Sequence, residues 1–259
     1  MNVDSFLSWV VQLLLILTRM SALFVLSPLL GRQSIPAAAK VGMALLTSFI
    51  LINFNPPPPV YPYAELFSLA GAVFSELIVG LVMGFITILF FNVVYAAGHI
   101  IDMQIGFAMA QVFDPVSSSQ VPVAGSLLNL VMVLCFILSD GITRLIEVLA
   151  RSFAQIPVGG GIFRVELVPL VTETFSRCFV LSLNIAMPVL AAALLSEVAL
   201  GIVVRTAPQM NIFVIGIPIK MIIGLFMLFL TVPALVAATG SIFEQMFGII
   251  DSMFGGMAP

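Results

Sequence analysis

Four charged side chains stand where charge is hardest to keep: Arg19, Glu76, Glu197 and Lys220 each fall inside a long apolar stretch. Such residues can pair with one another in a helical bundle, line a watery path for an ion or solute, or lie in segments that never fully cross a bilayer. At the centre of a lipid-facing helix each would cost about 2.5 to 3.5 kcal/mol, so the four together approach the stability of a small fold. They cannot all face lipid. Snorkelling from near a helix end is a fair account of Arg177 and Lys220 but a poor one of Arg19 and Glu76.

Other reactive groups are sparse. The single histidine, His99, has Asp102 one helical turn further on. The two could form a proton relay, although a lone pair beside a loop more often caps or makes a polar contact. With no second histidine there is no metal pair. Cys135 and Cys178 sit in apolar runs at a spacing that matches no metal motif, and read as small buried hydrophobes. No phosphate-loop, dinucleotide or zinc-protease pattern occurs. The expectation is no enzyme, no cofactor and no metal.

The elements that must hold these groups are helices in an apolar setting. Of 259 residues 61% are hydrophobic and 8% charged, with mean hydropathy +1.24, against roughly 25% charged in soluble domains. A net charge of -3 offers no basic face to nucleic acid. No hydrophilic block is long enough for a separate domain. At the N-terminus Asp4 replaces the basic residues of a signal peptide and the apolar run Phe6 to Leu30 is too long for one, so the segment is expected to be retained.

Six segments approach the roughly 20 residues that a membrane crossing needs: Phe6 to Leu30, Pro36 to Phe54, Leu66 to Ala97, Val123 to Leu138, Phe179 to Val204 and Ile212 to Ala238. The third is too long for one straight crossing. The fourth is short and runs through Ser139-Asp140-Gly141 into an amphipathic piece, Ile142 to Phe153; a second such piece, Val165 to Arg177, leads into the fifth. The run NPPPPVYPY from Asn55 to Tyr63 reads as an extended spacer, and Pro157 to Gly161 as a flexible turn between the amphipathic pieces. The connection Arg205 to Asn211 is short enough to make its flanking segments antiparallel neighbours. Six spans place Arg144, Arg151 and Arg164 on one side and Arg32, Lys40 and Arg205 on the other, so positive-inside reasoning gives no orientation.

Small residues four apart offer close helix contacts at Gly71 and Ser75, Gly80 and Gly84, Ser182 and Ala186, and Ala192 and Ser196; of these Gly80 and Gly84 are the candidate packing seam. Pro188, Pro218 and Pro233 lie within helical runs and should kink or interrupt them. One stretch stands apart. Gly106 to Pro122, GFAMAQVFDPVSSSQVP, is a polar, turn-rich island of 17 residues, longer than the ~12 to 15 beyond which an unstructured loop is usually functional or disordered. Asp114-Pro115 breaks helix, while Phe107, Met109, Val112 and Phe113 are too apolar for a solvated linker. Such a loop packs into a channel or a partner.

Taken in order, five pieces resemble one family: RMSALFVLSPLLGRQSIP from Arg19 to Pro36, ELIVGLVMG from Glu76 to Gly84, the run from Ala97-Gly98 through Asp102, Gln104 and Gly106-Phe107 to Asp114-Pro115, Asp140-Gly141, and LGIVVRTAPQMNIFVIGIPIK from Leu200 to Lys220. The chain resembles the FliR proteins of the flagellar type III export gate and their counterparts in virulence secretion systems. Where that family usually has a histidine after Asp140-Gly141, this chain has Ile142.

The resemblance implies an all-α integral membrane-type protein whose helices form broken, kinked hairpins in a helical hetero-oligomeric gate. One copy would join five FliP and four FliQ subunits, with FlhB packing on the finished gate and a basal-body ring around it in the bacterial inner membrane. Residues 1–177 would be the FliP-like part and 178–259 the FliQ-like part. Unfolded flagellar proteins would pass through the centre. By order, the family's pore plug falls on Gly106 to Pro122, with Phe107, Met109 and Phe113 as gasket and Asp114-Pro115 as the turn. Arg19, Glu76, Glu197, Arg205, Pro208, Gln209, Asn211 and Lys220 would serve subunit contacts or a buried polar network. The alternatives are a secondary transporter, with Arg19, Glu76, Glu197 and Lys220 around a midplane site, and a passive membrane scaffold.

Overall fold

A computed structural model of the chain describes residues 3–29, 31, 35–57, 66–107, 122–161, 165, 167–207 and 212–258. Seven helices account for most of them: α1 Val3–Leu26, α2 Ala37–Ile52, α3 Leu66–Ile105, α4 Val123–Leu138, α5 Gly141–Gln155, α6 Leu167–Thr206 and α7 Ile212–Met257. No strand occurs among the described residues. The six apolar segments fall on α1, α2, α3, α4, α6 and α7, and the first amphipathic piece is α5.

Four helices, α1, α3, α6 and α7, are long and apolar enough to cross a membrane, and a fifth span results if the bent pair α4 and α5 counts as one. Helix α2, with 16 residues, rises only about 24 Å against a hydrocarbon core of about 30 Å. The second amphipathic piece is not a separate helix. From Leu167 the chain runs unbroken through Arg177 to Thr206, because Pro169 lies in the first turn, where a missing N–H costs nothing. Pro188, Pro218 and Pro233 likewise sit inside continuous helices and do not end them.

The residues group into two compact units. The first joins residues 1–89, 140–174 and 244–259. Its core is a set of one-sided stripes: Leu15, Ile16, Met20 and Leu23 of α1, Val79, Met83 and Ile86 of α3, Leu149 and Phe153 of α5, and Ile250, Met253 and Phe254 of α7 are all buried. Their three- and four-residue spacing is that of a helix face. α1 and α2 make a hairpin in which Trp9 meets Phe49 edge to face at 6.1 Å and Gln12 donates to the Asn55 carbonyl at 3.2 Å. Asp140 starts α5 with φ 54, a left-handed conformation that Asp tolerates better than most residues.

The second unit joins residues 90–139 and 175–243. At its centre Phe91, Phe136 and Phe243, from α3, α4 and α7, make a three-ring cluster with Phe136 edge-on to both others at 5.2 and 5.1 Å. α6 and α7 leave much apolar surface open, including Leu195, Val198, Ile222, Phe226 and Phe229, the last 73% exposed.

Candidate functional site

Arg19 and Glu76 meet. Both are fully buried in the first unit, and the guanidinium binds the carboxylate through two hydrogen bonds, Nε to Oε2 at 2.5 Å and Nη2 to Oε1 at 2.9 Å. Two more of its N–H groups are used: Nη1 donates to Ser152 Oγ at 3.0 Å and Nη2 to the Ile156 carbonyl at 3.2 Å, while the Phe153 ring lies 4.1 Å from the guanidinium carbon. Glu76 Oε1 accepts a further bond from the Gly159 amide at 2.7 Å. Forked geometry, with both charges met by further hydrogen bonds, is what lets a charge pair survive burial.

The seam beside this pair explains how it forms. Gly80 lies one turn beyond Glu76, and a Cβ there would stand 2.4 Å from the Arg19 carbonyl oxygen and 2.7 Å from Ala22 Cβ; at Gly84 it would stand 2.6 Å from Leu26 Cβ. Only glycine permits α1 and α3 to approach this closely, and that approach delivers Arg19 to Glu76. Gly71 has open space beside it. The turn Pro157 to Gly161 is tethered rather than free: Gly159, at φ 78, presents its amide to Glu76, and Ser75 Oγ donates to the Gly161 carbonyl at 3.0 Å.

Glu197 and Lys220 also pair, across α6 and α7 of the second unit. Their side chains remain 47% and 18% exposed, so this ion pair lies on an open apolar surface. Arg205 is exposed in the last turn of α6. Pro208, Gln209 and Asn211 lie outside the described residues.

Of the loop Gly106 to Pro122, residues 108–121, with Met109, Phe113, Asp114 and Pro115, lie outside the described residues. Its two ends are described. Gly106, at φ 99, closes α3 with its amide on the Asp102 carbonyl at 3.1 Å, followed by the half-buried Phe107. Pro122 precedes α4 and offers no side-chain cap. The cap comes from Asp102, whose two carboxylate oxygens each lie 3.1 Å from the Ala124 amide. Of the two readings of His99 and Asp102, relay or cap, the geometry gives Asp102 the cap. His99 is exposed; Asp102 is 4% exposed. A carboxylate 22 residues from the amide it caps leaves no local capping signal. Cys135 and Cys178 are both free thiols, the second buried, and among the described residues no three of His, Cys, Asp and Glu gather as metal ligands.

A profile of the family described as bacterial export proteins, family 1, matches residues 10–246. The chain belongs to this family. Among its relatives, the flagellar biosynthetic protein FliR of Bacillus subtilis is 32% identical over 235 residues, covering 89% of this chain and 90% of that protein. The flagellar biosynthetic protein FliR of Escherichia coli is 30% identical over 247 residues, covering 95% and 94%. The Yop proteins translocation protein T of Yersinia pestis is 31% identical over 222 residues, covering 83% of each chain. The resemblance to the FliR family read from five sequence pieces is thus shown over most of the chain. With four or five span-capable helices and no strand among the described residues, this member of the export family is an all-α membrane protein.

Proposed function

We propose that the chain is a non-catalytic, pore-forming and gating subunit of the flagellar type III export gate, in the bacterial inner membrane at the basal body, passing unfolded flagellar proteins. In this reading one copy assembles with five FliP and four FliQ subunits and with FlhB inside the basal-body ring, residues 1–177 being FliP-like and 178–259 FliQ-like. Beyond family membership, one observation carries it: α6 and α7 expose both large apolar side chains and the Glu197–Lys220 pair. Water does not suit the first. Lipid does not suit the second, at about 2.5 to 3.5 kcal/mol per charge near a helix centre. A protein partner with an apolar face and a few polar groups suits both.

Gly106 to Pro122 is then the plug, with Phe107, Met109 and Phe113 sealing against water and ions and Asp114-Pro115 turning the chain. Arg205, Gln209, Asn211 and Lys220 contact neighbouring subunits. The transporter reading is weakened by Arg19 and Glu76, which are fully buried and hydrogen-bonded to each other and to Ser152, Ile156 and Gly159. Purification tests the assembly: the intact complex should contain FliP and FliQ, and a lone chain that moves a solute would refute it. Deleting Val112 to Ser119 should make cells that overproduce the gate leak ions, and unchanged permeability would remove the plug assignment.

A further inference from the structure

The residues that flank the 108–121 connection are fastened to each other at two points and to α7 at a third, all within the second unit. Asp102 serves both ends at once. Its backbone carbonyl accepts the Gly106 amide that finishes α3, and its carboxylate accepts the Ala124 amide that begins α4. Pro122 supplies no capping atom, and an anion at a helix N-terminus also meets the positive end of the helix dipole. One turn earlier on the same face, Gly98 touches α4 backbone to backbone: a Cβ at Gly98 would stand 2.1 Å from Gly125 Cα, and one at Gly125 would stand 3.0 Å from the Tyr95 carbonyl oxygen. On the far side of Asp102, Ile105 packs against Gly224 of α7, where a Cβ would come within 2.4 Å of it.

We propose that Gly98, Asp102, Ala124 and Gly125 form a permanent clamp, with Asp102 as its positioning residue, and that α3 and α4 stay joined there while the gate works. The proposal rests on the reading of the chain as an export-gate subunit and adds which part does not move. A carboxylate fixed on a helix N-terminus and two glycine backbones in contact form a joint with no slack. Separating them would orphan a buried carboxylate and a helix-terminal amide together. Movement during export is therefore confined to what lies beyond the joint, and the ends of the connection keep their separation.

The test uses a cysteine-free chain (Cys135→Ser, Cys178→Ala) in a strain that lacks its own copy, with secretion of a flagellar reporter as readout. Asp102→Ala should lower secretion at least tenfold in assembled complexes, and Asp102→Asn, which retains an acceptor for the Ala124 amide, should stay within about threefold of the parent. In Asp102→Cys/Ala124→Cys, a short thiol crosslinker should restore secretion by replacing the lost tie with a covalent one. Unchanged secretion in Asp102→Ala, or a crosslink that blocks secretion in an assembled complex, overturns the clamp. Hydrogen exchange in the unaltered complex covers variants that fail to assemble. Protection of the Ala124 amide should be equal in idle complexes and in complexes stalled on a reporter, and its loss on stalling refutes the proposal. If the parent chain does not support secretion, the export reading fails, while the exchange result for the idle complex still reports the joint.

Discussion

Replacing Glu76 by glutamine isolates the charge of the Arg19–Glu76 pair from its shape. The amide keeps the volume and an acceptor for the Gly159 N–H, but leaves a guanidinium of zero exposure without its counter-ion. Removing one member of a buried pair costs about 3 to 5 kcal/mol, a large part of the roughly 5 to 15 kcal/mol that holds a typical fold. At about 4 kcal/mol the ratio of folded to unfolded chain drops roughly 700-fold. Arg19→Met should do comparable damage by stranding the carboxylate. In the double variant no charge is orphaned and the introduced side-chain amide still serves Gly159, so it should be more stable than either single variant. Pulse proteolysis of the purified complex across a urea series measures all four corners of this cycle. Two singles whose effects simply add, or singles indistinguishable from the parent, would refute the argument that each charge survives burial only because of the other.

Three further outcomes follow from the packing. Gly80→Leu should prevent accumulation of the chain, since its Cβ would sit 2.4 Å from a backbone oxygen of α1, whereas Gly71→Leu, with open space beside it, should accumulate normally; immunoblots of membrane fractions compare them. Phe136→Ala removes the middle ring of the aromatic cluster, 1% exposed, and should destabilise the second unit by about 3 to 5 kcal/mol, read as a lower urea midpoint. Lys220→Met should leave the chain's own fold within about 1 kcal/mol, as expected of a partly exposed ion pair, yet reduce the yield of intact complex by native mass measurement. Equal yield would show that no partner covers the Glu197–Lys220 surface.

The helices were legible in the sequence because length and apolar composition alone announce them, and Glu76 with Gly80 and Gly84 could be read as one cluster because charge and glycine are rare enough in oil to stand out. What could not be read was direction. α3 buries Val79, Met83, Ile86, Phe90, Val94 and Ala97 but exposes Val73, Phe74, Leu77 and Phe85, and with both faces apolar no periodicity separates the one that meets protein. The second amphipathic piece leads into the fifth segment, and the change of composition near Arg177 gives no sign of whether the helix pauses there; backbone hydrogen bonding is indifferent to it and continues through. For Asp102 a cap could be read but not its partner: the capped group is an amide, and every residue but proline has one.

α3, at 40 residues, measures about 60 Å along its axis, twice the hydrocarbon thickness of a bilayer. Tilt does not absorb the difference. Membrane helices lean by up to about 40°, at which α3 would still rise about 46 Å and leave about 16 Å outside the hydrocarbon, whereas a complete fit would need about 60°. An unassembled copy thus has no compartment that suits it, being too long for the membrane and too oily for water. In the assembly proposed above, a copy would persist only once neighbouring subunits cover that overhang, so their supply would limit how much of it a cell keeps.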